Sequence, residues 1–169
     1  MNGNRQQLIF SFGGNESTTK SCFAKSIALL SIRFGNPTHI SSIYKTDAWG
    51  FKTEAPAFLN QVLVFESDED ANSILAFTQQ IEKSLGRKNK SSDQNYSNRP
   101  IDIDILTYGT TILKTKKLTI PHPLMHKRNF ILEPLAEIFP NFIHPTLKKT
   151  LKELLLSNPD ELSVKVYNK

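Results

Sequence analysis

The feature that most constrains the fold is a strict alternation of isoleucine and aspartate at residues 101–105, which read IDIDI. Such alternation is typical of a β-strand with one buried face, because successive side chains point to opposite sides. Ile101, Ile103 and Ile105 are expected to share the buried face. Asp102 and Asp104 are expected to share the other, with Cβ atoms roughly 6–7 Å apart on the spacing of alternate strand residues. Since aspartate is depleted in strands and like charges repel, a cationic group is expected nearby.

Two interpretations of this aspartate pair follow. The oxygens of Asp102 and Asp104 could converge on a hard cation such as Mg²⁺, which proteins usually hold with one or two carboxylates plus substrate phosphates. Alternatively, the strand is half-buried and its acidic face is simply solvated. A D-x-D pattern alone occurs often by chance, so the surrounding sequence must decide between them.

Length and composition narrow the class of protein. The 169 residues suit one domain, assigned as residues 1–169 with a core over about 8–156. A net charge of +5 favours anionic partners, whether phosphates, nucleic acid or a membrane surface. The single cysteine, Cys22, excludes an internal disulfide and fits a reducing, cytoplasmic setting. The N-terminal apolar run at residues 8–12 is too short for a signal peptide or a membrane span.

The order of predicted elements is β-α-β-β-α-β. Strands are predicted at residues 8–12, 40–44, 58–66 and 101–106, the first stopped by Gly13, Gly14 and Asn15. One helix ends at Gly35; the other follows SDED, which supplies N-cap candidates, and ends at Gly86. Short strands near residues 112 and 118–120 and short helices at 131–138 and 147–156 follow, and the tail from residue 157 is uninformative. We therefore expect an α+β, ferredoxin-like antiparallel sheet with helices on both faces.

A polar, basic segment over residues 86–100 precedes the aspartate strand. It contains Arg87, Lys88, Lys90 and Arg99 and has no apolar periodicity. A cationic loop beside two carboxylates suits phosphoryl-type transfer, because metal ions can bridge the phosphates while guanidinium groups stabilise the developing charge. The alternative is a solvated basic loop.

Familiar phosphate-binding motifs are missing from the sequence. It has no G-x-x-x-x-G-K-[ST], no H-R-D or D-F-G, and no G-x-G-x-x-G. Phosphate contacts would instead come from metals, loop cations, Lys117, His122 and Arg128.

A third candidate region is the loop at residues 46–58, which is rich in turn formers and aromatic residues. Trp49, Phe51 and Phe58 lie near Asn60 in the sequence. Aromatic rings can sandwich a flat heterocycle while an amide binds its hydrogen-bonding edge. The alternative for each ring is ordinary core or turn packing.

Five segments together resemble the 6-hydroxymethyl-7,8-dihydropterin pyrophosphokinase family of folate biosynthesis. They are YKTDAWG at 44–50, FLNQV at 58–62, QQIEKSLGR at 79–87, RPIDIDIL at 99–106 and LTIPHPLMHKRNFILEPLAEIFP at 118–140. Enzymes of that family transfer a pyrophosphoryl group from ATP to the hydroxymethyl group of the pterin and release AMP. The resemblance implies small-molecule substrates, no nucleic-acid or membrane partner, and a monomer.

The resemblance also implies roles for individual residues. Asp102 and Asp104 would bind two Mg²⁺ ions, and Arg87 and Arg99 would act on the ATP phosphates. The residues implied at ATP are Glu82, Tyr96, Ile105, Lys117, Thr119, His122 and Arg128, of which Tyr96 would seal the loop over the site. Those implied at the pterin are Thr46, Asp47, Trp49, Phe58, Asn60 and Phe130, with Phe58 and Phe130 stacking on its two faces.

Three positions depart from the family's pattern. Gly14 stands where serine is usual, Asn89 where many members have a basic residue, and Phe58 where tyrosine is commoner. Phe58 keeps the stacking face and loses the hydroxyl. Gly14 and Asn89 bear on loop closure and not on the reaction.

Two rival functions remain compatible with the topology. An RNA-binding ferredoxin-like module would explain the basic charge, but its K/R-G-F/Y-G/A-F-V-x-F/Y strand is missing. A regulatory small-molecule-binding domain would need neither catalytic cations nor Mg²⁺. Binding of single-stranded RNA and its salt dependence would separate the first rival from the enzyme, and production of AMP would separate the second.

Overall fold

The computed structural model describes residues 5–47, 56–87 and 98–167. Its strands are β1 (Gln6–Gly14), β2 (His39–Ile40), β3 (Tyr44–Thr46), β4 (Phe58–Ser67), β5 (Asp102–Tyr108), β6 (Leu113–Lys114), β7 (Thr119–Ile120) and β8 (Val164–Val166). Its α-helices are α1 (Thr19–Phe34), α2 (Ala71–Ser84), α3 (Asn129–Ile138) and α4 (Leu151–Leu156). A 3₁₀ turn over Met125–Lys127 leads into α3.

The main sheet has the order β5–β1–β4–β3–β8, and β2 pairs with β4 beside β3. All of its pairings are antiparallel. The strands of the β-α-β-β-α-β core therefore lie in the order fourth, first, third, second, which confirms the predicted ferredoxin-like fold. Strands β6 and β7 form a separate hairpin after β5.

Helices cover both faces of the sheet, as the sequence predicts. One core cluster joins α1 and α2 to the sheet through buried residues that include Phe10, Phe12, Phe23 and Ile74. The second joins α3 and α4 to the opposite face. Cys22 is buried in the first cluster, where a free cysteine packs as a small apolar side chain.

The first strand is longer than predicted. Gly13 and Gly14 were expected to stop it, but β1 runs through both because Gly13 pairs with Asn60 of β4 and Asp102 of β5. Glycine is required at position 14 by close packing. A Cβ there would lie 2.7 Å from the carbonyl oxygen of Pro100, closer than such atoms approach in proteins.

Two further predicted boundaries were wrong, and one strand was not predicted. The single strand expected at residues 40–44 is split into β2 and β3, both paired with β4. The last helix begins at Leu151 and not at residue 147, because Thr150 accepts from Glu153 N–H and forms a capping box with it. The tail, from which nothing was predicted, contributes β8 beside β3.

Candidate functional site

Strand β5 lies at the edge of the main sheet and displays the two aspartates on one face. Asp102 is opposite Gly13 of β1 and Asp104 is opposite Ser11. Ile103 and Ile105 point the other way and are buried in the core on the α1 and α2 side. The alternation therefore separates the carboxylates from the apolar face, as the sequence predicts.

The aspartates lie on a wall shared by two adjoining cavities. The small cavity has a volume of about 80 Å³ and the large cavity about 480 Å³. Four side chains line both cavities: Arg99, Asp102, Asp104 and Arg128. A ligand in either cavity would therefore meet the same two carboxylates and the same two guanidinium groups.

The small cavity suits a flat ring system. Phe58 from β4 and Phe130 from α3 line it, together with Asn60, whose side chain is held by donation from Nδ2 to Thr46 Oγ1 at 3.0 Å. The guanidinium of Arg99 lies 5.4 Å from the centroid of the Phe58 ring. That of Arg128 lies 5.5 Å from the centroid of Phe130. Aromatic faces and a fixed amide are the groups that bind a heterocycle and its polar edge.

The large cavity is polar and is built from α2, β5 and the β6–β7 hairpin. Its basic and hydroxyl side chains, besides the shared arginines, are Arg87, Thr115, Lys116, Lys117, Thr119 and His122. This concentration of cations on one cavity favours an anionic ligand such as a polyphosphate.

His122 lines the large cavity as a neutral ring whose Nε2 carries the proton. Burial, with a smaller contribution from the charge of Arg128, lowers the pKa of His122 to about 4, so the ring is neutral at pH 7. Its Nδ1 accepts from the backbone N–H of Leu124 at 3.2 Å. The proton therefore resides on Nε2, which can donate to a ligand oxygen.

Glu82, Arg87 and Asp102 form a connected ion-pair network at the mouth of the loop over residues 86–100. Arg87 Nη1 lies 2.5 Å from Glu82 Oε1 and also donates to Asp102 Oδ1. Glu82 Oε1 additionally accepts from the backbone N–H of Ile103 at 2.7 Å. Glu82 thus links α2 to the aspartate strand and orients Arg87, a structural role beyond the ATP contact that the resemblance implies.

The second loop arginine approaches the same carboxylate. Arg99 Nη1 lies 3.3 Å from Asp102 Oδ2, so the two arginines address different oxygens of one side chain. The cationic loop and the paired aspartates, which are adjacent in the sequence, therefore also meet in space at this site.

Two acids of this cluster have raised pKa values. Burial, reinforced by the charge of Asp102, raises the pKa of Asp104 to about 7 against the opposing charges of Arg128, Arg87 and Arg99. Burial and Asp102 likewise raise the pKa of Glu82 to about 7. The charge of Asp102 contributes to both shifts after burial, so a cation placed between these carboxylates would favour their ionised forms.

Asn15 is a candidate functional residue that the sequence analysis missed. Its side chain is buried, with 6 % exposed, in the turn between β1 and α1. Asn15 Oδ1 accepts from the N–H of Arg99 at 2.9 Å, and the N–H of Asn15 donates to the carbonyl oxygen of Arg99 at 3.0 Å. Its Nδ2 also donates to Asn98 Oδ1 at 2.7 Å. Asn15 therefore fixes the backbone from which Arg99 reaches Asp102.

All sequence-predicted site residues within the described ranges line one or both cavities. Trp49 and Tyr96 lie outside the described residues. Ser11 and Gly13 line the small cavity and Gln79 lines the large one, and none of these was predicted. The sequence Phe10-Ser11-Phe12 could have indicated Ser11, because alternation in a strand places the serine on the face opposite to the two phenylalanines.

The aspartate pair is the candidate metal-binding feature of this site. No group of three or more His, Cys, Asp or Glu residues able to hold a metal occurs among residues 5–47, 56–87 and 98–167. The donors that Asp102 and Asp104 offer are hard carboxylate oxygens, which suit Mg²⁺ when substrate phosphates supply further ligands.

Comparison with known proteins identifies the family. Residues 9–140 match the family model for 7,8-dihydro-6-hydroxymethylpterin-pyrophosphokinase. A 2-amino-4-hydroxy-6-hydroxymethyldihydropteridine pyrophosphokinase from Aquifex aeolicus is 38% identical over 151 residues, covering 89% of this chain and 91% of that protein. One from Bacillus subtilis is 32% identical over 156 residues, covering 92% of this chain and 86% of that protein.

Solved structures support the fold. Wild-type HPPK-DHPS from Plasmodium falciparum, crystallised with pteroate, superposes with a TM-score of 0.68 at 16% identity over 91% of this chain. The chain spans only 42% of the length of that protein. In the described part of the chain, no helix is long and apolar enough to cross a membrane.

Proposed function

The chain belongs to the 7,8-dihydro-6-hydroxymethylpterin-pyrophosphokinase family, and from that premise we propose how its residues serve the reaction. The enzyme transfers a pyrophosphoryl group from ATP to 6-hydroxymethyl-7,8-dihydropterin in folate biosynthesis. The hydroxymethyl oxygen forms a bond to the β-phosphorus, the bond from that phosphorus to the α-phosphate oxygen breaks, and AMP leaves with its electron pair. The hydroxyl proton is released.

The pterin occupies the small cavity in this proposal. Phe58 and Phe130 stack on the ring faces, while Asn60, Thr46 and Asp47 contact its polar edge. Support comes from the placement of these five side chains on one cavity and from the hydrogen bond that fixes the Asn60 amide. Trp49 is assigned to the same substrate by resemblance alone.

ATP occupies the large cavity, whose cationic lining matches a triphosphate. Lys117, Thr119, His122 and Arg128 contact the phosphates, and Glu82 and Ile105 line the same cavity. Tyr96 belongs to this group by resemblance alone. His122 donates from Nε2, which its neutral state and its Nδ1 hydrogen bond make possible.

Asp102 and Asp104 would hold Mg²⁺, and two ions are expected. The fit rests on the chemistry of the donor set, since two crowded carboxylates lie where both cavities meet and the described residues bring no soft ligand to them. When bound, Mg²⁺ would neutralise charge on the transferring phosphates. Arg87 and Arg99, already paired with Asp102, add guanidinium groups at the same boundary.

Catalysis in this proposal is positioning and charge stabilisation, without a covalent intermediate on the protein. One observation carries this proposal. Asp102, Asp104 and two arginines, Arg99 and Arg128, form a wall common to both cavities. The hydroxyl of one substrate and the β-phosphorus of the other therefore meet at one place. We further propose that residues 1–169 act as a single domain, as a monomer and in the cytoplasm.

The decisive experiment follows the nucleotide product. The enzyme is incubated with ATP and 6-hydroxymethyl-7,8-dihydropterin, with Mg²⁺ or with EDTA, and nucleotides are separated. We expect AMP and the pterin diphosphate in equal amounts with Mg²⁺, and neither with EDTA. ADP as the product, or AMP formation without the pterin, would contradict the reaction; equal rates in EDTA would contradict the metal role.

A further inference from the structure

The C-terminal segment at residues 158–166 contacts two walls of the small cavity although it lines neither cavity. At one end, Asp160 Oδ2 accepts from the backbone N–H of Asn129, the first residue of α3, at 2.8 Å. At the other end, β8 pairs with β3 so that Val164 is opposite Thr46. One short stretch of chain therefore joins the start of α3 to the strand that carries Thr46.

Helix α3 depends on this segment for the cap at its N-terminus. The residue preceding the helix is Arg128, and it provides no side-chain cap. Asp160 supplies the missing acceptor from a distant part of the sequence, and a carboxylate at a helix N-terminus is also favoured by the helix dipole. Asp160 Oδ1 accepts from the N–H of Leu162 at 3.0 Å, so both carboxylate oxygens are engaged.

Asn129 is held through its side chain as well. Its Nδ2 donates to the carbonyl oxygen of Asp160 at 2.6 Å, and its Oδ1 accepts from Asn158 Nδ2 at 2.8 Å. Asn129 stands between Arg128 and Phe130, and both neighbours line the small cavity. Fixing Asn129 on three of its polar groups therefore limits how far either neighbour can move.

The opposite wall is tied to the same segment. Thr46 lies in β3, and β8 pairs with the outer edge of this strand. The hydroxyl oxygen of Thr46 accepts a hydrogen bond from Asn60 Nδ2. Residues 158–166 therefore contact both the start of the helix that carries Phe130 and the strand whose Thr46 binds Asn60.

We propose that Asp160 is a positioning residue that sets the affinity for the pterin by holding Phe130 and Arg128 at a fixed distance from the polar wall. The proposal rests on the assignment of the pterin to the small cavity. It gives a role to the polar contacts that the segment after α4 makes with Asn129.

The test compares Asp160→Ala with Glu161→Ala. Glu161 is the adjacent acidic residue and is exposed, so it is a matched control for the loss of one negative charge. Dissociation constants are measured for the pterin in the presence of a non-hydrolysable ATP analogue and Mg²⁺, and for the analogue alone. We expect Asp160→Ala to weaken pterin binding roughly tenfold and nucleotide binding by a smaller factor, and Glu161→Ala to change neither.

A double-mutant cycle with Phe130→Ala separates positioning from general destabilisation. If Asp160 acts through Phe130, Asp160→Ala weakens pterin binding in the wild-type background and much less in the Phe130→Ala background. Asp160→Asn keeps an acceptor oxygen for Asn129, so it is expected to retain most of the wild-type affinity. If Asp160→Ala does not fold, Asn158→Ala replaces it in the cycle, because this variant removes the hydrogen bonds of Asn158 to Asn129 and Asp160.

Three results would overturn the proposal. They are an unchanged pterin dissociation constant in Asp160→Ala, equal weakening for both ligands, or the same factor lost with and without Phe130. Wild-type protein that bound no pterin would instead refute the proposed function, so the two failures can be told apart.

Discussion

Arg87 donates a hydrogen bond to the carboxylate of Asp102, so that the start of the basic loop is joined to the strand that carries both aspartates. Glu82 holds the same guanidinium group from α2, and Arg99 approaches the other oxygen of Asp102. The charges most suited to polyphosphate chemistry are therefore gathered on the wall between the two cavities.

The aspartate pair is expected to be essential for turnover and unimportant for folding. Asp102→Asn and Asp104→Asn each keep the side-chain volume and remove one negative charge. We expect kcat to fall by about two orders of magnitude or more, since lost stabilisation of developing charge typically costs this much. Melting temperatures should stay near that of wild type, because the crowded acids gain little from being charged together.

Asp68→Asn is the control, because Asp68 is exposed in the SDED segment before α2 and does not line either cavity. It should leave kcat unchanged. Wild-type kinetics for either aspartate variant at saturating Mg²⁺ would remove that residue from the catalytic account.

Asn15 is expected to support turnover through Arg99. Arg99→Ala should slow turnover strongly, and Asn15→Ala should slow it by a smaller factor because the backbone N–H of Arg99 loses its side-chain acceptor, while the bond from the N–H of residue 15 to the carbonyl oxygen of Arg99 is kept. Measured in a double-mutant cycle, Asn15→Ala should have little further effect on kcat once Arg99 is absent. Strictly additive losses in the cycle would show that Asn15 acts independently of Arg99.

Gly14 is expected to be intolerant of any side chain. In Gly14→Ala the new Cβ would meet the carbonyl oxygen of Pro100 at 2.7 Å and Thr19 Oγ1 at 2.6 Å, and backbone cannot yield cheaply. We expect a loss of about 1–3 kcal/mol in the free energy of unfolding, as for other overpacked positions. Gly13→Ala is the comparison, because its Cβ would find only Asn60 Oδ1, at 3.7 Å. Equal unfolding free energies for the two variants in urea would contradict the packing argument.

Stability should depend on pH through His122. Burial, aided by Arg128, lowers its pKa to about 4 in the folded chain from 6.5, so the unfolded chain binds more protons between these values. The stabilisation from the neutral ring is complete above pH 6.5 and is lost as pH falls through 4. The loss amounts to at most about 3 kcal/mol from the shift and less after solvent screening.

The measurement is the difference in unfolding free energy between wild type and His122→Gln from pH 8 to pH 4, in EDTA. Taking the difference removes the contributions of Glu82 and Asp104, whose raised pKa values act in the opposite direction. Parallel curves for the two proteins would show that His122 does not titrate abnormally.

Much of the fold could be predicted from local patterns. The alternation at residues 101–105 predicted both the strand and its two faces, and the SDED segment predicted the Asp70 cap of α2. Boundaries failed where tertiary contacts overrode local signals. Gly13 and Gly14 remain in β1 because β4 pairs with both of them and β5 pairs with Gly13.

The amino-acid sequence by itself indicated which residues are candidates for the chemistry, since carboxylates, guanidinium groups and aromatic rings are recognisable wherever they stand along the chain. Only the tertiary structure decided how they are shared between two cavities and what holds them. Asn15, Glu82 and Asp160 act through hydrogen bonds to backbone groups distant in sequence, at Arg99, Ile103 and Asn129. Such contacts leave no periodic signal, because they depend on where the folded chain brings two segments together and not on the spacing within either.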